Sequence, residues 1–482
     1  MSQSVLHAES RFHTDDRLHE EKVRIEVNVL AQRMLQIAIA FCCAALASCG
    51  SGDEPVAQTP PTPTAEQFGA TAGSQFASSA LALPAPVAAE TPMMESSPPA
   101  PTDEPLRRAP QSSGDRLNLG KGMSTGLMIP SILRRTIIGG LAAPTDLAVA
   151  SDGTLFYTER GKGLFVIRAG AGASPVFAPD DLAKRGSSGM LAVALDPEFS
   201  RNQFAYVFMR STITGIEDSR VVRVKIDTTY ARALDRRDIL IVVNGSAPTE
   251  PRTDEPHYGG ALRFGPDGHL YVGVGDGRAA KVAQSRNSLA GKVLRIDRDG
   301  VAAPGNGVLV GFDKRVFVYG VRDPVALAFH PNTESALIGQ RRSVEPDEIA
   351  MANAGSNGGW DPTCTPPASG YCERSGDQVL DVPASGMFLA WRGAKNGEGL
   401  SAIERLRSPE WGDWRNAFVV AFDQAQRLDL VKLDANGRTL HATPVLQKLG
   451  VGFKAVAQGA DGLYVVTRGR PGGEEIWRLS PQ

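Results

Sequence analysis

Long apolar runs are missing from this 482-residue chain, and so is any imbalance of charge. Its 51 basic and 53 acidic residues leave a formal net charge of -2. That excludes a broadly basic nucleic-acid binder and gives no electrostatic pull toward anionic membranes. Aromatics make up 6%, and only five Cys and seven His are present, so a metal or catalytic cluster built on them has few candidates. Turn-forming residues are in surplus, with 51 Gly and 33 Pro. Such a surplus suits an all-β protein with many turns, a Pro-rich linker, or both. Apolar residues at 42% against 22% charged are enough to fold most of the chain around a core. The length allows two or three average domains, or one large domain with appendages.

The longest apolar stretch lies between Met34 and Gly50. Its apolar part is about a dozen residues, short of the ~20 that a membrane-spanning helix needs but suited to a signal-peptide core. It ends Leu46-Ala-Ser-Cys49, which resembles a bacterial lipobox: small residues admit the peptidase and the thiol takes the lipid. Residues 1–49 are expected to be an N-terminal extension and lipoprotein-type signal peptide, leaving Cys49 acylated. Gly50, not Asp, follows the Cys, which favours an outer-membrane anchor facing the periplasm. An ordinary signal peptide or a buried helix is the other reading. Residues 50–127 are rich in Pro, Ala, Ser and Thr. They lack the apolar surface to offset their ordering entropy and read as a semi-extended tether.

From about residue 128 to 482 the texture changes to short β-rich runs, each entered by a turn. The signal recurs at Ser151-Asp-Gly-Thr-Leu-Phe-Tyr157, Leu195-Asp-Pro-Glu-Phe199, Gly265-Pro-Asp-Gly268, Phe329-His-Pro-Asn-Thr333, Glu410-Trp-Gly-Asp-Trp414 and Gly459-Ala-Asp-Gly462. Asp-Gly supplies the positive φ of a tight turn, and the aromatic or β-branched run that follows suits a pleated strand. Six copies at roughly 59 residues each fit a six-bladed β-propeller of four-stranded antiparallel blades. The strand near Arg134–Ile138 is expected to close the ring on Glu475–Leu479. Helical periodicity is scarce; Gly399–Leu406 is the one short helix expected.

On Gly189-Met-Leu-Ala-Val-Ala-Leu-Asp-Pro-Glu-Phe199, His257-Tyr-Gly-Gly260, Gly275-Asp276, Gly291-Lys-Val-Leu-Arg-Ile-Asp297, Gly320-Val-Arg-Asp-Pro324 and Asn357-Gly-Gly-Trp360, taken in order, the chain resembles the glucose/sorbosone dehydrogenase family. The resemblance covers about 140–480. It implies a six-bladed propeller that binds pyrroloquinoline quinone (PQQ) and calcium and oxidises the anomeric carbon of sugars to lactones.

Such a reaction requires a base for the sugar hydroxyl proton, and imidazole suits this near neutral pH. Four His follow the leader. His269 and His330 sit in strand-entry turns and read as structural; His441 lies in a polar run. His257 precedes paired Gly and a strong strand, and the resemblance makes it the general base. The cofactor's three carboxylates call for positive charge. The resemblance puts Arg322 and Lys454 on the cofactor, with Asp323 and Ser187 at positions where the family usually carries Asn and Gln. It also places a calcium on the backbone carbonyls of Arg342 and Ser343, where Gly and Pro are usual. A second calcium is implied on the Glu348 carboxylate and the Gly358 carbonyl. Cys364 and Cys372, eight residues apart, read as a loop-closing disulfide in a periplasmic protein. No Cys-x-x-Cys-His site is present, so electrons are expected to leave to an external acceptor. The departures at Ser187, Asp323, Arg342, Ser343 and Gly452 keep open a propeller that has lost its cofactor and serves as a binding module. A calcium-dependent lactonase would need a carboxylate-rich central site that the sequence does not assemble.

Overall fold

The computed structural model describes residues 115–117, 123–124, 126–243, 257–307, 309–342, 345–360, 387–469 and 472–482. Cys49, Ser343, Cys364 and Cys372 lie outside them. The described residues form six four- or five-stranded sheets, antiparallel except for one short parallel pair (Val318 beside Ser356), arranged as a six-bladed propeller, and one separate two-stranded sheet. The innermost strands are, in order, Pro144–Val149, Met190–Leu195, Gly259–Phe264, Pro324–Phe329, Leu400–Arg405 and Gly452–Gly459.

Each of the six turn signals lies between the first and second strands of its blade. The Asp-Gly turn at 152–153 shows why: Gly153 adopts φ +83° and its N–H returns to the Ala150 carbonyl at 2.9 Å. Within a blade both faces are buried, so the strands read as apolar runs, not as alternation. In Phe204–Ser211, Ala205, Val207 and Met209 pack toward the first blade, while Tyr206 and Phe208 pack toward the third. Six apolar clusters run round the ring in this way, one between each pair of neighbouring blades. Each large side chain so buried contributes roughly 1.5–3 kcal/mol.

Ring closure follows the expectation. Ile132–Leu141 is the outer strand of the last blade, with Arg134 opposite Leu479 and Ile138 opposite Ile476. The folded part starts earlier than residue 128, however. Asp115–Leu117 pairs antiparallel with Ile132–Arg134, and Trp414 donates to the Met128 carbonyl at 3.0 Å. The exposed edge of the closing strand supplies the pairing that the linker's composition lacks. Gly399–Leu406 corrects a second expectation: Leu400–Arg405 is a strand. A short apolar run buried on both faces carries no period that separates helix from strand, and a fifth inner strand is what the ring requires.

Lys292 is fully buried and donates to the carbonyls of Val282 (2.7 Å) and Ala290 (2.9 Å). Burial pulls its ammonium down to about 7. Between that value and the unfolded value near ~10.4, the unfolded chain holds a proton the folded chain lacks, so stability rises with pH by at most ~1.4 kcal/mol per unit. In urea melts at pH 7, 8.5 and 10, Lys292→Met should remove that part of the slope. Identical slopes for the two proteins would exclude it.

Candidate active site

A cleft opens at the N-terminal ends of the six inner strands, which contribute Thr145, Leu191, Gly260, Val325, Ser401 and Lys454 in blade order. Below it, Arg263 grips Asp146 in a bidentate pair (2.8 and 2.9 Å) that joins the first blade to the third and narrows the channel.

The sequence-derived residues divide into two groups. Ser187, Asp323 and Lys454 line the cleft, as does Tyr258, the residue after His257; His257 itself is not among the lining residues. Arg322, Arg342, Glu348 and Gly358 line a narrower neighbouring pocket together with Trp360.

His257 is held by a residue that carried no role in the sequence reading. Its Nδ1 lies 2.9 Å from Oδ1 of Asp276, which is completely buried. Asp276 also accepts from the Trp360 indole (2.8 Å) and from the Arg278 amide (2.8 Å). A carboxylate only accepts, so it fixes the imidazole tautomer with the proton on Nδ1 and the lone pair on Nε2. The chain must fold tightly to bring the two together: a Cβ on Gly275 would lie 2.0 Å from the His257 carbonyl oxygen. The sequence signal for Asp276 was its place directly after a strand and a Gly. The paired glycines are explained by packing. A Cβ on Gly259 would meet the Gly273 carbonyl at 2.5 Å, and one on Gly260 would meet Leu191 at 3.1 Å. Close packing of chain on chain thus requires them, and both also line the cleft.

The cationic side of the cleft is richer than Lys454 alone. Asp423, buried, gathers Arg341 (3.0 Å), Lys454 (3.5 Å) and Arg468 (2.7 Å) on one oxygen. Burial opposes ionisation of Asp423, yet these three cations outweigh it and hold the carboxyl below the usual carboxylate range. Arg160 joins Arg341 and Lys454 as a third cation of the cleft lining. Asp323, which sets negative charge at the cleft, accepts the Gly259 amide at 2.9 Å. The side chains named here thus leave positive charge in excess, the balance a polycarboxylate requires.

The calcium expected at Glu348 does not fit the residues present. Arg342 Nη1 lies 2.7 Å from Glu348 Oε1, and Arg392 Nη2 lies 3.8 Å from Oε2. Among the described residues no group of three or more His, Cys, Asp or Glu could hold a metal ion. The structural roles of His269 and His330 are explicit. His269 Nδ1 lies 3.2 Å from Arg295, and His330 bridges to the Asp434 carbonyl at 2.9 Å.

A family model described as glucose/sorbosone dehydrogenase matches residues 141–478. Aldose sugar dehydrogenase of Escherichia coli (strain K12) is 24% identical over 354 residues, 70% of this chain and 90% of that protein. Quinoprotein glucose dehydrogenase B of Acinetobacter calcoaceticus is 26% identical over 314 residues, 58% of this chain and 62% of that one. Among solved structures, the PQQ-bound form of aldose sugar dehydrogenase from Streptomyces coelicolor matches with a TM-score of 0.58 at 22% identity, covering 73% of this chain and 98% of that one. That last likeness is one of fold.

Proposed function

The chain belongs to the glucose/sorbosone dehydrogenase family, and from that premise we propose that it oxidises aldose sugars at the anomeric carbon with PQQ as cofactor and His257 as general base. One observation carries the proposal: a buried carboxylate orients the imidazole of the residue that precedes Tyr258 in the cleft lining, and the wall of that cleft has surplus positive charge. The E. coli and A. calcoaceticus relatives support a sugar dehydrogenase, and the S. coelicolor structure supports PQQ.

When bound, PQQ would accept the hydride from the sugar. Arg341, Lys454 and Arg160 would hold its carboxylates by charge-assisted hydrogen bonds. Asp276 keeps the Nε2 lone pair of His257 turned away from itself, so that it takes the proton of the sugar hydroxyl. The proposal routes no step through calcium. Electrons then pass to an external acceptor. A cofactor-free scaffold is the competing reading, and the same titration separates them. Apoprotein titrated with PQQ in a calorimeter should take up about one equivalent, and the product should reduce dye with aldoses. No heat of binding at micromolar protein removes the enzyme reading.

A further inference from the structure

We infer that the pocket at Glu348 carries its own cations: the guanidinium groups of Arg342 and Arg392 occupy the place of a divalent metal, and this carboxylate binds none. Glu348 lies on Pro346–Ala352, directly opposite Arg392 on Met387–Asn396. Cross-strand partners of opposite charge meet without any loop having to be ordered. Arg342 approaches from the other side, 2.7 Å from Oε1, and Arg392 stands 3.8 Å from Oε2. Each carboxylate oxygen therefore already faces a cation, and the pair is buried, with 9% of the Arg342 side chain and 7% of that of Glu348 exposed.

Arg342 is also fixed from its backbone. Its amide donates to Asp347 Oδ1 at 3.0 Å, while Asp347 Oδ2 receives the Leu400 amide at 2.7 Å. The guanidinium is thus delivered to Glu348 by a loop tied to the next blade. It is not a surface side chain swung inward. Two guanidinium groups supply the same two positive charges as one calcium ion, and neither can be chelated away. Calcium would require six to eight oxygens at about 2.3–2.6 Å, with a guanidinium nitrogen in contact with one of them. Displacing Arg342 would also leave that charge buried and unmatched by Glu348. The inference concerns the fold of the fourth blade and stands whether or not the sugar reaction does.

The test uses the full chain without cofactor or sugar. Its melting midpoint should agree in EGTA and in millimolar CaCl2 to within about 1 °C. Arg342→Ser, which frees Glu348, should melt lower and gain a calcium-dependent rise of several degrees. A calcium-dependent rise in the unmodified protein that disappears in Glu348→Gln overturns the inference. A rise that persists in Glu348→Gln places the ion elsewhere, as the inference requires. Should Glu348→Gln not fold, terbium luminescence replaces it, because Trp360 lines the same pocket. Trp-sensitised emission that is lost in Trp360→Phe overturns the assignment; silence, or emission that persists in that variant, supports it.

Discussion

His257→Ala lowers aldose turnover by roughly a thousandfold, mid-range for the loss of a positioned proton acceptor, while PQQ uptake stays within about threefold. The asymmetry follows from geometry. Nδ1 is committed to Asp276, and Asp276 is itself held by the Trp360 indole and the Arg278 amide. The ring cannot turn to become a general hydrogen-bonding group for the cofactor. What it contributes is one lone pair, required only while the hydroxyl proton leaves, so kcat falls and KM changes little. Asp276→Asn probes the same step from behind. An amide can donate where the carboxylate only accepts, so the fixed tautomer is lost and turnover falls although the base is still present. Turnover of His257→Ala close to that of the unmodified protein eliminates the base assignment. Loss of PQQ binding in that variant would instead make His257 a cofactor contact.

Replacing both Arg341 and Lys454 with Ala weakens PQQ roughly a hundredfold or more, at ~1.5–3 kcal/mol for each charge-assisted hydrogen bond lost. Both side chains line the cleft and both lean on Asp423. Each single variant should lose less than half of the total in free energy. Arg468 remains on Asp423 at 2.7 Å, and the remaining cation can shift toward the ligand. The effect should be larger at low salt, since the cleft is open to solvent and its charges are screened. A Kd within twofold of the original for the double variant, measured by calorimetry, rejects this wall as the cofactor grip.

Much of the architecture was legible because propeller blades are built from local signals. An Asp-Gly turn needs its positive φ wherever the chain goes, and the strand after it follows within a few residues. Three Asp-Gly turns and three other strand-entry turns therefore counted six blades. Leu400–Arg405 was misread for the same physical reason that the strands are stable: with both faces buried, an apolar run has no period to read. His257 was legible beside its glycines, but the purpose of those glycines was not. Their neighbours, the Gly273 carbonyl and Leu191, are close only after the strands have paired. Lys454 was found through a family resemblance, whereas Arg341, Arg468 and Asp423 carried no local mark of their joint role.

By itself, the sequence determined the number of blades and the strand that closes the ring, because turn chemistry and strand propensity act over a few residues. Only the tertiary structure decided which charges meet. Asp276 reaches His257, Asp423 gathers Arg341, Lys454 and Arg468, and Arg342 turns to Glu348. Electrostatic pairing depends on distance through space, and ring closure brings together residues that the chain keeps far apart.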